Sequence, residues 1–403
     1  MSIETMFVLI GLGILSSPYA MAHAGWLGGL ISLVVAATFA YAAQLMVRCQ
    51  QKTGCATYQE LATMAVGKKS CILIQTFFYV EVVGSLLGFC ISVADNLGKA
   101  FEGITKARQL GIGNSSIMTS QNVMMVMACL FVLPTVWLRN LKALSFTSIW
   151  SVAMSGILVL SVAITASPID GNIGFPHRIP LVGSLYNAPV ATGIYAFAYS
   201  GTTIFPAIYS SMKDPSKFPH ALSLSFAITI IAVSGLGIMG AMMFGHETAS
   251  QITLNMPPHR ITTKIMVWMT VLTPLLKFAL LLSPLSVTID RFIMFGHLSR
   301  HYGARTQLMM TTFARSIVMV LIVVGAIVLP YFNYVISLIG SSVSIALCLI
   351  FPCIFYLNLC RDRLTHFSFV TLLFVFVFAI TAAICGTIIS FHGLVVSKRG
   401  SSA

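Results

Sequence analysis

Gly11-Leu12-Gly13-Ile14-Leu15-Ser16-Ser17-Pro18 and Gly201-Thr202-Thr203-Ile204-Phe205-Pro206 are the two stretches whose reading decides the fold. Each sits inside a long apolar run, and each reads Gly, four residues, then Pro. Gly disfavours helix by about 1 kcal/mol relative to Ala, and Pro removes an amide donor and clashes with the preceding turn. The pattern therefore predicts two helices that open part-way along. An opened helix exposes backbone groups: amides at the start of the resumed half suit an anion, and carbonyls before the break suit a cation.

Around these stretches the chain is apolar almost throughout. Of its 403 residues 57% are hydrophobic and 8% charged, against roughly 25% charged in a water-soluble domain. The solvent is mostly lipid. Apolar runs predict eleven transmembrane helices, at about 3–22, 26–47, 71–94, 123–138, 144–165, 188–212, 221–244, 263–289, 312–329, 334–357 and 367–391. The expected fold is all-α, one polytopic membrane domain over 1–403. The two Gly-Pro stretches fall in runs one and six, so the expected halves are 3–165 and 188–357, an inverted five-plus-five repeat with the run at 367–391 as an extra helix. The first run lacks a basic leader, so no cleavable signal peptide is expected.

The net charge of +13 carries no basic cluster interleaved with aromatics, which argues against nucleic acid. Taking loops alternately, one side holds Arg48, Lys52, Lys68, Lys69, Arg139, Lys142, Lys213, Lys217, Arg291, Arg300, Arg305, Arg361 and Arg363, the other Lys99, Lys106, Arg108, Arg178, Arg260, Lys264, Lys398 and Arg399. The richer side is expected in the cytosol, which puts the amino terminus there and the carboxyl terminus in the lumen or exterior. A glycosylation sequon at Asn114 falls on the poorer side. The nine Cys form no CxxC pair and the nine His lie in loops or at span ends, so neither a metal nor another cofactor is expected.

Two broken spans supplying amides and carbonyls at mid-membrane fit a small zwitterion such as an amino acid. The expected binding residues are Gly11, Leu12, Gly13, Ile14, Leu15 and Ser16 in run one, and Tyr195, Phe197, Ala198, Tyr199, Ser200, Gly201 and Thr202 in run six. Carbonyls of Phe197, Ala198 and Ser200 would face the ammonium, and the rings of Tyr195, Phe197, Tyr199 and Phe205 would line the side-chain pocket. Glu81 and Lys277 stand inside apolar runs, where an ionisable group costs roughly 2.5–3.5 kcal/mol and is functional by default. Glu81 is the candidate proton carrier; Asp95 and Asp290, at span ends, are expected to be solvated.

The stretch Gly11 to Met21 followed by Gly25-Trp26 resembles the first-span signature of the amino acid/auxin permease family. Tyr199-Ser200-Gly201, Phe205-Pro206, Ile208 to Lys213, Pro215 to Pro219, Met242 to Gly245, Gln251 to Pro257 and Lys277 to Pro284 are similar to its plant vacuolar amino acid transporter branch, and more distantly to vesicular inhibitory amino acid transporters. The resemblance implies a leucine-transporter-like fold of the APC superfamily and proton-coupled amino acid movement across a vacuolar or other endomembrane by a monomer. It also implies that Lys277 lies where sodium-coupled relatives build a cation site. Phe7 stands where sodium users carry Asn and offers no oxygen to a hard cation, so sodium coupling is not expected. Only ten residues precede Gly11, where members of the branch carry a long polar tail, which implies a shortened first half-helix or an incomplete sequence. The alternatives left open are an amino acid sensor that binds without turnover and a plasma-membrane amino acid permease.

Overall fold

The computed structural model describes residues 12–101, 120–136, 146–167, 173–212, 214–295, 304–361 and 365–400. Gly11, Phe7 and the Asn114 sequon lie outside them. The described residues form α1 (Gly13–Ala24), α2 (Trp26–Thr53), α3 (Tyr58–Ala100), α4 (Ser120–Val136), α5 (Phe146–Ala166), α6 (Ala188–Ala198), α7 (Phe205–Ser211), α8 (Phe218–Phe244), α9 (Ile252–Asn255), α10 (Ile261–Phe295), α11 (Ala304–Val328), α12 (Phe332–Ile339), α13 (Phe351–Leu359) and α14 (His366–Gly400). No strand occurs among them.

Helix occupies each of the eleven expected apolar runs, and seven stretches among the described residues are long and apolar enough to cross a membrane. These are expected spans two, three and seven to eleven. Span one is described only from Leu12, spans four and five border residues outside the description, and span six is divided between α6 and α7. Two helices depart from the simple expectation. Span three starts before Cys71, because α3 runs from Tyr58 through a kink at Gly67, whose φ of 82° and ψ of 165° break the helical path. Span ten is α12 and α13 joined by two π-helical blocks, Gly340–Ser344 and Ala346–Ile350.

The chain clusters into two compact units. The first holds residues 1–81, 155–255 and 333–403, and the second 82–154 and 256–332. Expected spans one, two, six and seven thus share the first unit; four, eight, nine and the later part of three share the second. In the first unit α1 packs on α8 and α6, α2 on α6, α8 and α13, and α14 on α6 and the π-helical stretch. In the second, α4, α10 and α11 pack on one another.

Lipid tails are as apolar as Leu, so helices in a membrane gain adhesion by close backbone approach at small residues. The first unit is built this way. A Cβ on Gly193 would strike Ser337, one on Gly340 the Gly193 carbonyl, and one on Gly240 the ring of Pro18. A strap at 177–184 crosses the α1–α2 junction. The Trp26 amide donates to Pro180 O, Gly183 to Ala24 O and Ser184 to His23 O, each at 3.0 Å, while His177 donates to Met242 O at 3.0 Å.

Candidate functional site

The described start of span one, at Leu12 and Gly13, meets the break of span six. Helix α1 starts at Gly13, and the end of α6 lies so close that a Cβ on Gly13 would stand 2.5 Å from Ala198 Cα. Pro18, in contrast, does not open its helix. Its missing amide leaves the Ile14 carbonyl without its i+4 donor, and the Ser17 hydroxyl donates to that carbonyl at 2.9 Å instead. From Leu12 onward span one is continuously helical, with the Leu15 amide donating to Leu12 O at 3.1 Å. Leu12, Ile14, Leu15 and Ser16 are all buried, and Ser16 Oγ donates to Ser250 O at 2.7 Å, which ties it to the loop before α9. Gly11 lies outside the described residues.

In span six, α6 ends at Ala198 and the chain resumes helix at Thr202. Gly201, with φ 144° and ψ −2°, makes the turn between them in a conformation that residues with a Cβ rarely adopt. Three expectations need correction here. The Phe197 carbonyl is not free for an ammonium, because it accepts from the Ser200 amide at 3.3 Å and the Ser200 hydroxyl at 2.9 Å. The Tyr199 ring is fully buried with its hydroxyl 3.0 Å from Ser32 Oγ, so it anchors α6 to α2. Phe205 stacks edge-on against Phe218 and Phe226 of α8 at 6.2 and 6.5 Å, a core position. Tyr195 is buried to 1% exposure. Thr202 stands apart: it is fully buried, and its Oγ1 has no hydrogen-bond partner among the described residues. A buried hydroxyl left unpaired costs about 1–3 kcal/mol, which a ligand or water can recover.

Glu81 reaches this region from α3. It is half-buried, and its Oε1 accepts a hydrogen bond from Ser344 Oγ at 2.8 Å. Tyr58 and Cys348 are its other ionisable neighbours. Tyr58 itself donates to Leu347 O at 2.8 Å, and the Cys348 sulfur faces the Gly201 and Thr202 amides and the Thr202 hydroxyl, without closing a hydrogen bond to that hydroxyl. Gln50 of α2 donates to Pro206 O at 2.8 Å and to Cys55 O at 2.9 Å, pinning the second half of span six. Ser344, Cys348, Tyr58 and Gln50 escaped sequence reasoning. The signal available for the first was the polar run Gly340-Ser341-Ser342-Val343-Ser344 inside an otherwise apolar span.

Lys277 is half-buried on α10 and belongs to the second unit. Asp290 is not the solvated span-end residue expected from its position. It forms an ion pair with Arg315 of α11 at 2.5 Å, with side chains 17% and 7% exposed, and Arg315 Nε donates to its other oxygen at 3.3 Å. Asp95 is half-buried near the end of α3. A cavity in the second unit, bordered by Phe89, Val93, Pro274 and Phe278, has apolar walls and offers nothing to a zwitterion.

Comparison with known proteins points the same way. The sequence pattern of the family described as transmembrane amino acid transporter protein matches residues 3–393. The chain is similar to three Arabidopsis thaliana proteins. With amino acid transporter AVT1D it shares 35% identity over 94% of this chain and 67% of the relative. With AVT1E the figures are 36%, 94% and 70%, and with AVT1H 35%, 91% and 82%. In structure it is similar to MhsT, crystallised in complex with L-phenylalanine, with a TM-score of 0.56 at 12% identity, covering 96% of this chain and 97% of that one. The likeness shows a leucine-transporter-like fold.

Proposed function

The chain belongs to the transmembrane amino acid transporter family, whose members are transporters rather than enzymes, and on that premise we propose that it carries amino acids across an organellar membrane in step with protons. The observation that carries the reading is the close approach of the start of α1 at Gly13 to the end of α6 at Ala198, beside the unpartnered hydroxyl of buried Thr202. A zwitterion seated there would place its carboxylate at the first turn of α1, near Gly13 and Ile14, and its ammonium toward the chain end of α6. Leu12, Leu15 and Tyr195 would enclose it, with Ser200 and Gly201 shaping the turn.

Glu81 takes the role of proton carrier. As a carboxylate it accepts from Ser344, and on taking up a proton it becomes neutral and can donate in turn. Lys277 serves as a second coupling group in the other unit. Sharing of units by spans of matching order in the two halves supports an inverted repeat, and hence alternating access around the broken spans. The excess of Lys and Arg on one set of loops favours an amino terminus in the cytosol and a carboxyl terminus in the lumen, and the resemblance to the vacuolar branch favours an endomembrane.

The test is uptake of labelled amino acids by proteoliposomes holding the full chain, under an imposed proton gradient, a sodium gradient or neither. Saturable uptake raised by the proton gradient alone is expected. Glu81→Gln should abolish that rise while leaving amino acid exchange without a gradient. Binding with no flux in the intact chain would overturn the carrier in favour of a sensor; unchanged proton stimulation in the Gln variant would remove Glu81 from the mechanism.

A further inference from the structure

The π-helical blocks of span ten touch α6, the turn of span six and Glu81. Hydrogen bonding from i to i+5 is rare and recurs at functional places, since an α-helix is the lower-energy form of most sequences. Here two blocks of five residues follow one another, separated by Ile345 alone. The stretch is clamped at its start, where a Cβ on Gly340 would overlap the Gly193 carbonyl of α6. It is clamped again by the Tyr58 hydroxyl on Leu347 O at 2.8 Å. Between the clamps Ser344, fully buried, donates to Glu81 at 2.8 Å. Four residues on, and so on nearly the same face, Cys348 meets the turn of span six at Gly201 and Thr202. Ala198, three residues before Gly201, is the residue against which Gly13 packs. A continuous line of contact thus runs from Glu81 through Ser344 and Cys348 to the break of span six and on to Gly13 at the start of α1.

We infer that this π-helical stretch carries the protonation state of Glu81 to the break of span six, with Ser344 as the positioning residue that responds to the carboxyl and Cys348 as the contact that reaches the turn. The inference rests on the proton-coupled reading above. While Glu81 is ionised it only accepts, and Ser344 must donate to it. Once Glu81 holds a proton it can donate to Ser344 Oγ, and the Ser344 hydroxyl, now accepting, turns its own O–H to donate to a backbone carbonyl of its own helix. That reversal sets a side-chain hydrogen bond in competition with the i to i+5 bonds of the π register and lets Cys348 shift against Gly201 and Thr202, the backbone that would hold the substrate. The ionisable groups facing Glu81 are Tyr58, from the first turn of α3, and Cys348; both are neutral hydrogen-bonding groups near pH 7 by their ordinary chemistry. The element with two arrangements is therefore the π register itself, which is what distinguishes a coupling route from mere adjacency.

The experiment compares intact chain, Ser344→Ala, Ser344→Thr and Glu81→Gln in the same proteoliposomes, reading the ratio of uptake with and without a proton gradient and the pH profile of amino acid binding. Ser344→Ala should keep exchange without a gradient but lose about tenfold of the proton stimulation, the size expected when one charge-assisted hydrogen bond goes, and its binding should no longer vary with pH. Ser344→Thr, which keeps the hydroxyl, should restore both. Full stimulation in Ser344→Ala, or a Thr variant no better than Ala, overturns the inference while Glu81→Gln still reports on the proton reading by itself. Should the Ala variant fail to reach the membrane folded, Ser344→Cys, close in volume but a far weaker donor, is read in its place and by the same outcomes.

Discussion

Gly13 works through the side chain it lacks. Adding one methyl there brings a carbon 2.5 Å from Ala198 Cα, and the obstacle is backbone, which cannot swing aside. Gly13→Ala should cost about 1–3 kcal/mol as an overpacked contact and stop transport, because the start of α1 and the end of α6 can no longer meet. Thermal unfolding of the purified chain in lipid nanodiscs measures the first effect and uptake the second. Gly98→Ala is the control: nothing lies within 4 Å of its would-be Cβ, so stability should hold or rise by about 0.5–1 kcal/mol. At this scale the sequence was half legible. It marked Gly201, by position, as the turn at which α6 gives way to renewed helix. It could not tell that Pro18 leaves its helix intact, since a proline's lost donor can be replaced by a neighbouring hydroxyl, as Ser17 does for Ile14. Nor could it tell a ring that lines a pocket from one that anchors a helix, since Tyr199 and Phe205 differ only in what α2 and α8 present to them.

Among elements, the pair of α10 and α11 shows what periodicity misses. Arg315 and Asp290 stand 25 residues apart and meet only once the helices are side by side. Counting apolar runs registers each as a blemish in its own span. A buried ion pair adds little net stability against an apolar pair of the same size, whereas removing one member strands the other charge. Arg315→Met should therefore cost about 3–5 kcal/mol, and adding Asp290→Leu should recover most of it. Chemical unfolding of the single and double variants decides: equal losses in both would show that the pair itself, rather than the stranded charge, holds α10 to α11. The π register of span ten was equally hidden. A span of apolar residues with Ser341, Ser342 and Ser344 is compatible with α or π winding, and the choice falls to Gly193 of α6 and to Tyr58, which no local window contains.

At the level of the molecule, the eleven apolar runs were legible because lipid admits few structures besides a helix that satisfies its own backbone. What the pattern undervalued was the eleventh. Read as an appendage to two five-span halves, α14 in fact packs on α6 and on the π-helical stretch. Ser390 Oγ lies 2.7 Å from Ser337 Oγ, and Cβ atoms on Gly386 and Gly393 would strike Ser341 and Tyr334. A chain cut after Arg361 should still insert but lose transport, and protease should cleave it near the turn at Gly201 while sparing the intact chain; a cut chain with full uptake would show α14 to be dispensable. The same packing sets a clock. The ribosome makes α6 long before α14, and at ~5–20 residues per second the delay is roughly 10–40 s. Throughout that interval the interrupted span waits in the bilayer with one flank bare, exposed to whatever surveys nascent membrane proteins. A product stalled before α14 would carry the same exposed flank for good, so the arrival of α14 also serves as the mark that span six has been covered.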